Sequence, residues 1–193
     1  MRKAWVAVAN LMLAALALPA AAQGNAYAGI SIGQSKNAKY CEDLAALGVP
    51  CDETDTSFRI FGGYQFHPNV AVEAGYADLG EASLSGTFLS APASATGEAK
   101  AWDLVAVLSW PVGNVFSLYG KLGVYRGEAR STGAVGGFGG PRGSETVTDF
   151  TYALGGQFNL GRNVGMRGEW QRYNDFSGSN IDVLSLGVLY RFR

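Results

Sequence analysis

From Gln23 onward the apolar residues recur with a period of two rather than 3.6, the repeat of strands whose two faces meet different surroundings. Eight segments carry it: Ala26–Gln34, Thr56–Phe66, Val70–Leu79, Lys100–Trp110, Val115–Gly127, Asp149–Leu160, Val164–Tyr173 and Asp182–Phe192. Three connections are tight (His67-Pro68-Asn69, Pro111-Val112-Gly113-Asn114 and Gly161-Arg162-Asn163), and four are longer (Ser35–Asp55, Gly80–Ala99, Glu128–Thr148 and Asn174–Ile181). Short turns at one end and long loops at the other predict an antiparallel up-and-down meander. An even strand number returns the chain to the side where it started.

The two faces differ in a telling direction. One reads Ala28, Ile30, Ile32; Phe58, Ile60, Tyr64, Phe66; Val70, Val72, Tyr76; Trp102, Leu104, Leu108, Trp110, and continues in this way to Leu184, Leu186, Val188, Tyr190 and Phe192, with no charge. The other holds Arg59, Glu73, Asp103, Lys121, Arg167, Glu169 and Arg191, among Gln65, Gln157, Asn159, Gln171, glycines and serines. A soluble barrel such as a lipocalin has apolar side chains inside and polar ones in water. An apolar outer band, aromatic girdles and a polar lumen instead define a transmembrane β-barrel. Tyr64, Phe66, Trp110, Phe158, Tyr190 and Phe192 fall near the short-turn ends, and Tyr76, Trp102 and Trp170 toward the opposite rim. In lipid each unpaired backbone amide costs several kcal/mol, so the sheet must close. Eight strands leave an interior just wide enough for side chains to fill. Lumen glycines (Gly29, Gly33, Gly63, Gly75, Gly123, Gly155, Gly187) make room there for the long charged ones.

The N-terminus changes the picture in one respect. Arg2 and Lys3 precede an apolar run from Ala4 to Leu18, then Pro19 and Ala20-Ala21-Ala22. This is the pattern of a secretory signal peptide over residues 1–22, leaving a barrel domain over 23–193. The run falls short of the ~20 residues of a membrane-spanning helix. Without Arg2 and Lys3 the chain keeps 13 basic and 16 acidic residues, so nothing favours nucleic acid as a partner. Charged residues make up only 16% of the chain, against roughly 25% in soluble domains. Cys41 and Cys51, the only cysteines, sit in an exported chain, which predicts one local disulfide. Two thiols and one distant histidine cannot complete a zinc shell.

The string Phe61-Gly62-Gly63-Tyr64-Gln65, a short turn with Pro68, then Glu73-Ala74-Gly75-Tyr76 and Leu79-Gly80 resembles the OmpA-type outer-membrane barrel family. Gly155-Gly156 and Arg167-Gly168-Glu169-Trp170-Gln171 fit the sixth and seventh strands of that pattern. The ending Leu184–Phe192 is similar to the family's last strand, with Gly187, Tyr190 and Phe192 standing where the outer-membrane assembly machinery reads its β-signal; Arg193 adds one residue beyond the terminal aromatic. The resemblance implies an outer-membrane location in contact with lipid and lipopolysaccharide. It also implies that Glu73, Lys121 and Arg167 belong to an ionic network blocking the lumen. Ser31, Val107 and Gln157 stand where the family has two lysines and an acid, so Arg59, Asp103, Glu169 and Arg191 are expected to complete a substitute network. Larger family members continue into a periplasmic peptidoglycan-binding domain, and wall anchoring is not expected of this chain.

No catalytic, cofactor-binding or metal-binding residue is assigned. His67, the only histidine, falls in a short turn and has no partners to position it as a base. Gly136-Gly137-Phe138-Gly139-Gly140 lacks the Lys-Ser/Thr ending of a phosphate loop and reads as a flexible surface loop. The expected protein is a non-enzymatic, monomeric outer-membrane barrel with a structural or surface-interaction role, its extracellular ligand open. A narrow channel ranks second and a lipid-modifying enzyme last.

Overall fold

The computed structural model describes residues 25–37, 54–88, 91–135, 138–176 and 178–192. The signal-peptide segment 1–22 and the Cys41–Cys51 pair lie outside the described residues. Eight strands, β1 (Ala26–Asn37), β2 (Thr54–His67), β3 (Val70–Phe88), β4 (Ala91–Pro111), β5 (Phe116–Val135), β6 (Phe138–Asn159), β7 (Val164–Phe176) and β8 (Ser179–Arg191), form one closed antiparallel barrel in chain order. β1 closes the cylinder on β8 through Tyr27↔Arg191 to Asn37↔Ile181. Every strand therefore has two neighbours within the closed section, as a structure surrounded by lipid requires.

The strands run farther than the alternation of polarity. The segments Gly80–Ala99 and Glu128–Thr148, expected as loops, continue as paired strands: β3 and β4 stay paired out to Phe88↔Ala91, and β5 and β6, across a register shift between Thr132 and Ala134, to Val135↔Phe138. Phe138, Gly139 and Gly140 of the glycine-rich run thus belong to β6, not to a loop. Likewise β7 and β8 reach Phe176 and Ser179. Beyond the bilayer both faces of a strand meet water, so the polarity contrast fades while the backbone ladder persists. The barrel consequently carries an outward four-stranded extension of β3–β6. On β3 the extension begins at a bulge between Asp78 and Glu81. Gly80 takes φ +89° there, a conformation that glycine adopts without steric cost. The Asp78 carboxylate accepts from the Gly80 amide at 3.2 Å, and Asp55 of β2 accepts from the Glu81 amide.

The two faces separate as the alternation demands. Ile32, Leu122, Leu154, Leu184 and Leu186 all lie outward and exposed, toward lipid. Tyr64 packs edge-on against Phe66 and Tyr190 against Phe192 at the short-turn end, while Tyr76 packs on Trp102 toward the other. The interior is layered. Near the short-turn end it holds Tyr27, Phe61, Ala71, Val105, Val107, Tyr119 and Leu189. Toward the outer end it holds Leu79, Tyr125, Tyr173, Phe176, Ile181 and Val183 among others. Between these apolar layers lie the charges.

Candidate functional site in the barrel lumen

Parity alone aims Arg59 (β2), Glu73 (β3), Asp103 (β4), Lys121 (β5), Arg167 and Glu169 (β7) inward, and all six are buried. Gly75 lets Arg59 lie flat across the lumen: a Cβ there would come within 2.5 Å of the guanidinium Nη2. Gly155 does the same for Tyr119, whose hydroxyl would lie 2.5 Å from an added Cβ.

Glu73, with no solvent exposure, is the hub. Its Oε1 accepts from Arg59 Nη1 at 2.9 Å and from Lys121 Nζ at 2.7 Å. Its Oε2 accepts from Arg167 Nη1 at 2.6 Å and from the Tyr27 hydroxyl at 3.1 Å. Arg59 also grips Asp103 with both edges of its fork, Nη2 to Oδ1 at 2.6 Å and Nε to Oδ2 at 3.0 Å. Lys121 bridges onward to Glu169 at 2.6 Å. Tyr119 donates to Glu169 at 2.7 Å, and Tyr173 to Asp103 at 3.2 Å. Three cations and three carboxylates thereby form one connected, charge-neutral cluster. Buried charges are tolerated when they are paired and their remaining hydrogen-bonding capacity is met. Among the described residues no buried side-chain nitrogen or oxygen lacks a partner.

Two of the three departures from the family pattern, Gln157 and Val107, lie against this cluster. Gln157, in place of an acid, accepts from Arg167 Nε at 2.9 Å, so it keeps the acceptor and omits the charge. Val107, in place of a lysine, is buried in the lower apolar layer. With Ser31 in place of the second lysine, two cations and one carboxylate of that pattern are missing, and the charges present, Arg59, Lys121 and Arg167 against Glu73, Asp103 and Glu169, balance. Arg191, grouped with the other charges by parity, sits at the short-turn rim, where its Nη2 donates to Asn159 Oδ1 at 2.9 Å. Gly187 faces the lumen wall against Ser31, and Tyr190 and Phe192 face outward.

Residue-type reading passed over the tyrosines. Tyr27, Tyr119, Tyr125 and Tyr173 are buried in the lumen, whereas Tyr64 and Tyr190 are exposed on the outer face. The signal was available, since Tyr119 shares its face with Lys121 two positions away. The rings also cushion charge. The guanidinium carbon of Arg167 lies 5.1, 5.2 and 5.0 Å from the ring centres of Tyr27, Phe61 and Tyr119, within cation–π range. Above the cluster, Tyr125 stacks on Phe176 at 5.6 Å and meets Tyr173 edge-on at 5.1 Å. A void of about 10 Å³ beside Ser31, Ser57, Arg59, Gln171 and Ser185 has room for about one water. His67, expected in a short turn, is instead the exposed last residue of β2, paired with Val70 of β3, and its Nδ1 accepts from the Asn69 amide at 3.4 Å. Among the described residues no group of three or more His, Cys, Asp or Glu side chains is arranged to hold a metal.

Comparison with known proteins agrees with this architecture. Residues 6–192 match the family model for the outer membrane protein beta-barrel domain. Outer membrane protein A of Klebsiella pneumoniae is 30% identical over 94% of this chain and 55% of its own length. That of Klebsiella aerogenes is 28% identical over 97% of this chain and 54% of its own. The chain spans about half the length of these curated relatives. Among solved structures, Ail, the attachment invasion locus protein of Yersinia pestis, superposes with a TM-score of 0.54 at 20% identity, covering 87% of this chain and 99% of Ail. The N-terminal β-barrel domain of Pseudomonas aeruginosa OprF gives 0.54 at 11% identity, covering 86% of this chain and 96% of that domain; at such identities the likeness is one of fold. The closed eight-stranded sheet, its apolar outer face and the family match together make this chain a member of the outer membrane protein β-barrel family, an OmpA-type barrel of the bacterial outer membrane.

Proposed function

We propose that the protein is a non-enzymatic barrel whose lumen is sealed by its ionic cluster and which serves as a structural and surface-interaction scaffold. The observation that carries this reading is the neutral, fully partnered cluster filling the lumen between two apolar layers. A conducting pore needs sites that bind an ion weakly enough to release it, whereas these charges already satisfy one another. The aromatic group Tyr125, Tyr173 and Phe176 adds a second barrier on the outer side. The outward extension of β3–β6 supplies the rigid surface such a scaffold would display. The protein reconstituted in a planar bilayer is expected to be silent in single-channel recording. Stable unitary conductance would overturn the sealed-lumen reading and favour a narrow channel.

Cys41 and Cys51 are proposed to form a disulfide in the segment between β1 and β2, and Gly187, Tyr190 and Phe192 to be read by the outer-membrane assembly machinery. For the cysteines, a maleimide probe applied to intact cells is expected to label the protein only after reduction. Labelling of unreduced protein would refute the bridge.

A further inference from the structure

We propose that Arg126, on the lipid-facing side of β5 at the outer edge of the apolar band, binds a phosphate of lipid A, the phosphorylated glycolipid of the outer leaflet. Arg126 is exposed and shares its face with Leu122 and Val124. Directly across it in the ladder stand Trp102 of β4 and Thr148 of β6. Trp102 is exposed and packs on Tyr76 at 4.8 Å, which puts Arg126 at the height of the outer aromatic girdle. The guanidinium therefore emerges where hydrocarbon gives way to headgroups.

Three other outward cations near this boundary have carboxylates of their own. Lys100 pairs with Glu98 at 3.3 Å, Arg130 with Glu128 at 2.8 Å and Arg172 with Asp182 at 2.7 Å. Arg126 makes no ion pair among the described residues. Glu128, the nearest acid along its face, is engaged by Arg130. The anion available at that height is a lipid phosphate, and the planar guanidinium fork suits two phosphate oxygens at once. Lys100 lies diagonally next to Arg126, since Lys100 opposes Glu128 where Trp102 opposes Arg126, and such neighbours lie ~7 to 8 Å apart. The Thr148 hydroxyl lies on the other side. The end of the barrel carrying the longer connections faces outside, so the leaflet in contact is the outer one, and its phosphate belongs to lipid A and not to a phospholipid.

Native mass spectrometry of the detergent-solubilised protein, titrated with bisphosphorylated lipid A, dephosphorylated lipid A or phosphatidylglycerol, tests this. Arg126→Gln is expected to weaken lipid A retention about tenfold, the size of a lost charged hydrogen bond. Arg130→Gln, which removes the same charge four positions away, should retain lipid A like the parent. The heat-shifted gel mobility of each variant reports that it is folded. Equal retention of lipid A by parent and Arg126→Gln, or equal retention of the dephosphorylated form, would overturn the site. Equal retention of phosphatidylglycerol would overturn its assignment to the glycolipid.

Discussion

Glu73→Gln is expected to be the most damaging single substitution in the barrel, costing about 3 to 5 kcal/mol, the usual consequence of stranding buried charge. The side chain keeps its volume, so the effect isolates charge from packing. Glu73 contacts all three cations of the cluster. After its neutralisation Arg59 still holds Asp103 and Lys121 still holds Glu169. Arg167 keeps only the neutral Gln157 acceptor and the rings around it. The amide nitrogen that replaces one oxygen would also point a donor at groups that are themselves donors. Urea unfolding of the folded variant in lipid vesicles measures the loss. Stability within about 1 kcal/mol of the parent, the level of an exposed pair, would show that the cluster is hydrated and not the closed lumen described above.

Arg167→Ala comes second, at about 3 kcal/mol, the lower end of the same range. It removes the 2.6 Å contact to Glu73 and the 2.9 Å contact to Gln157, together with packing against Tyr27, Phe61 and Tyr119. Glu73 nevertheless keeps Arg59, Lys121 and the Tyr27 hydroxyl, so less charge is stranded than by Glu73→Gln. Arg167→Met keeps most of the volume and separates charge from cavity. In a cycle with Glu73→Gln, the double variant should cost less than the sum of the singles by about 1 to 3 kcal/mol, because removing Arg167 removes the cation that Glu73→Gln would strand. Additive losses, or an unchanged Arg167→Ala protein, would rule out the pairing.

These expectations concern breaking the cluster, not its net worth against an apolar core. Desolvating six charges is costly, and apolar residues of similar volume often stabilise as well or better. The fold nevertheless needs wide side chains to fill the barrel, and it alternates them with glycine, as at Gly75 under Arg59 and Gly155 under Tyr119.

The transmembrane part of the fold was legible because lipid and lumen impose opposite chemistry on successive residues. That contrast located all eight strands and aimed Arg59, Glu73, Asp103, Lys121, Arg167 and Glu169 inward from parity alone. It failed where its physical cause ends. Beyond Asp78 on β3 and beyond Gly127 on β5 no lipid contacts the sheet, and the continuing ladder left no trace in polarity. The lumen tyrosines were passed over for another reason. An aromatic residue suits both a membrane boundary and a packed interior, and residue type cannot separate the two. For Tyr119 and Tyr173 the face of the strand does.

The amino-acid order by itself thus determined an inside-out barrel and which charges face its lumen, because a period of two has only two faces to choose between. Which charge meets which was decided by closure. Glu73 and Arg167 are 94 positions apart on strands that are not neighbours. They meet only because joining β1 to β8 sets the stagger of the strands and brings opposite walls within reach across a lumen one side chain deep.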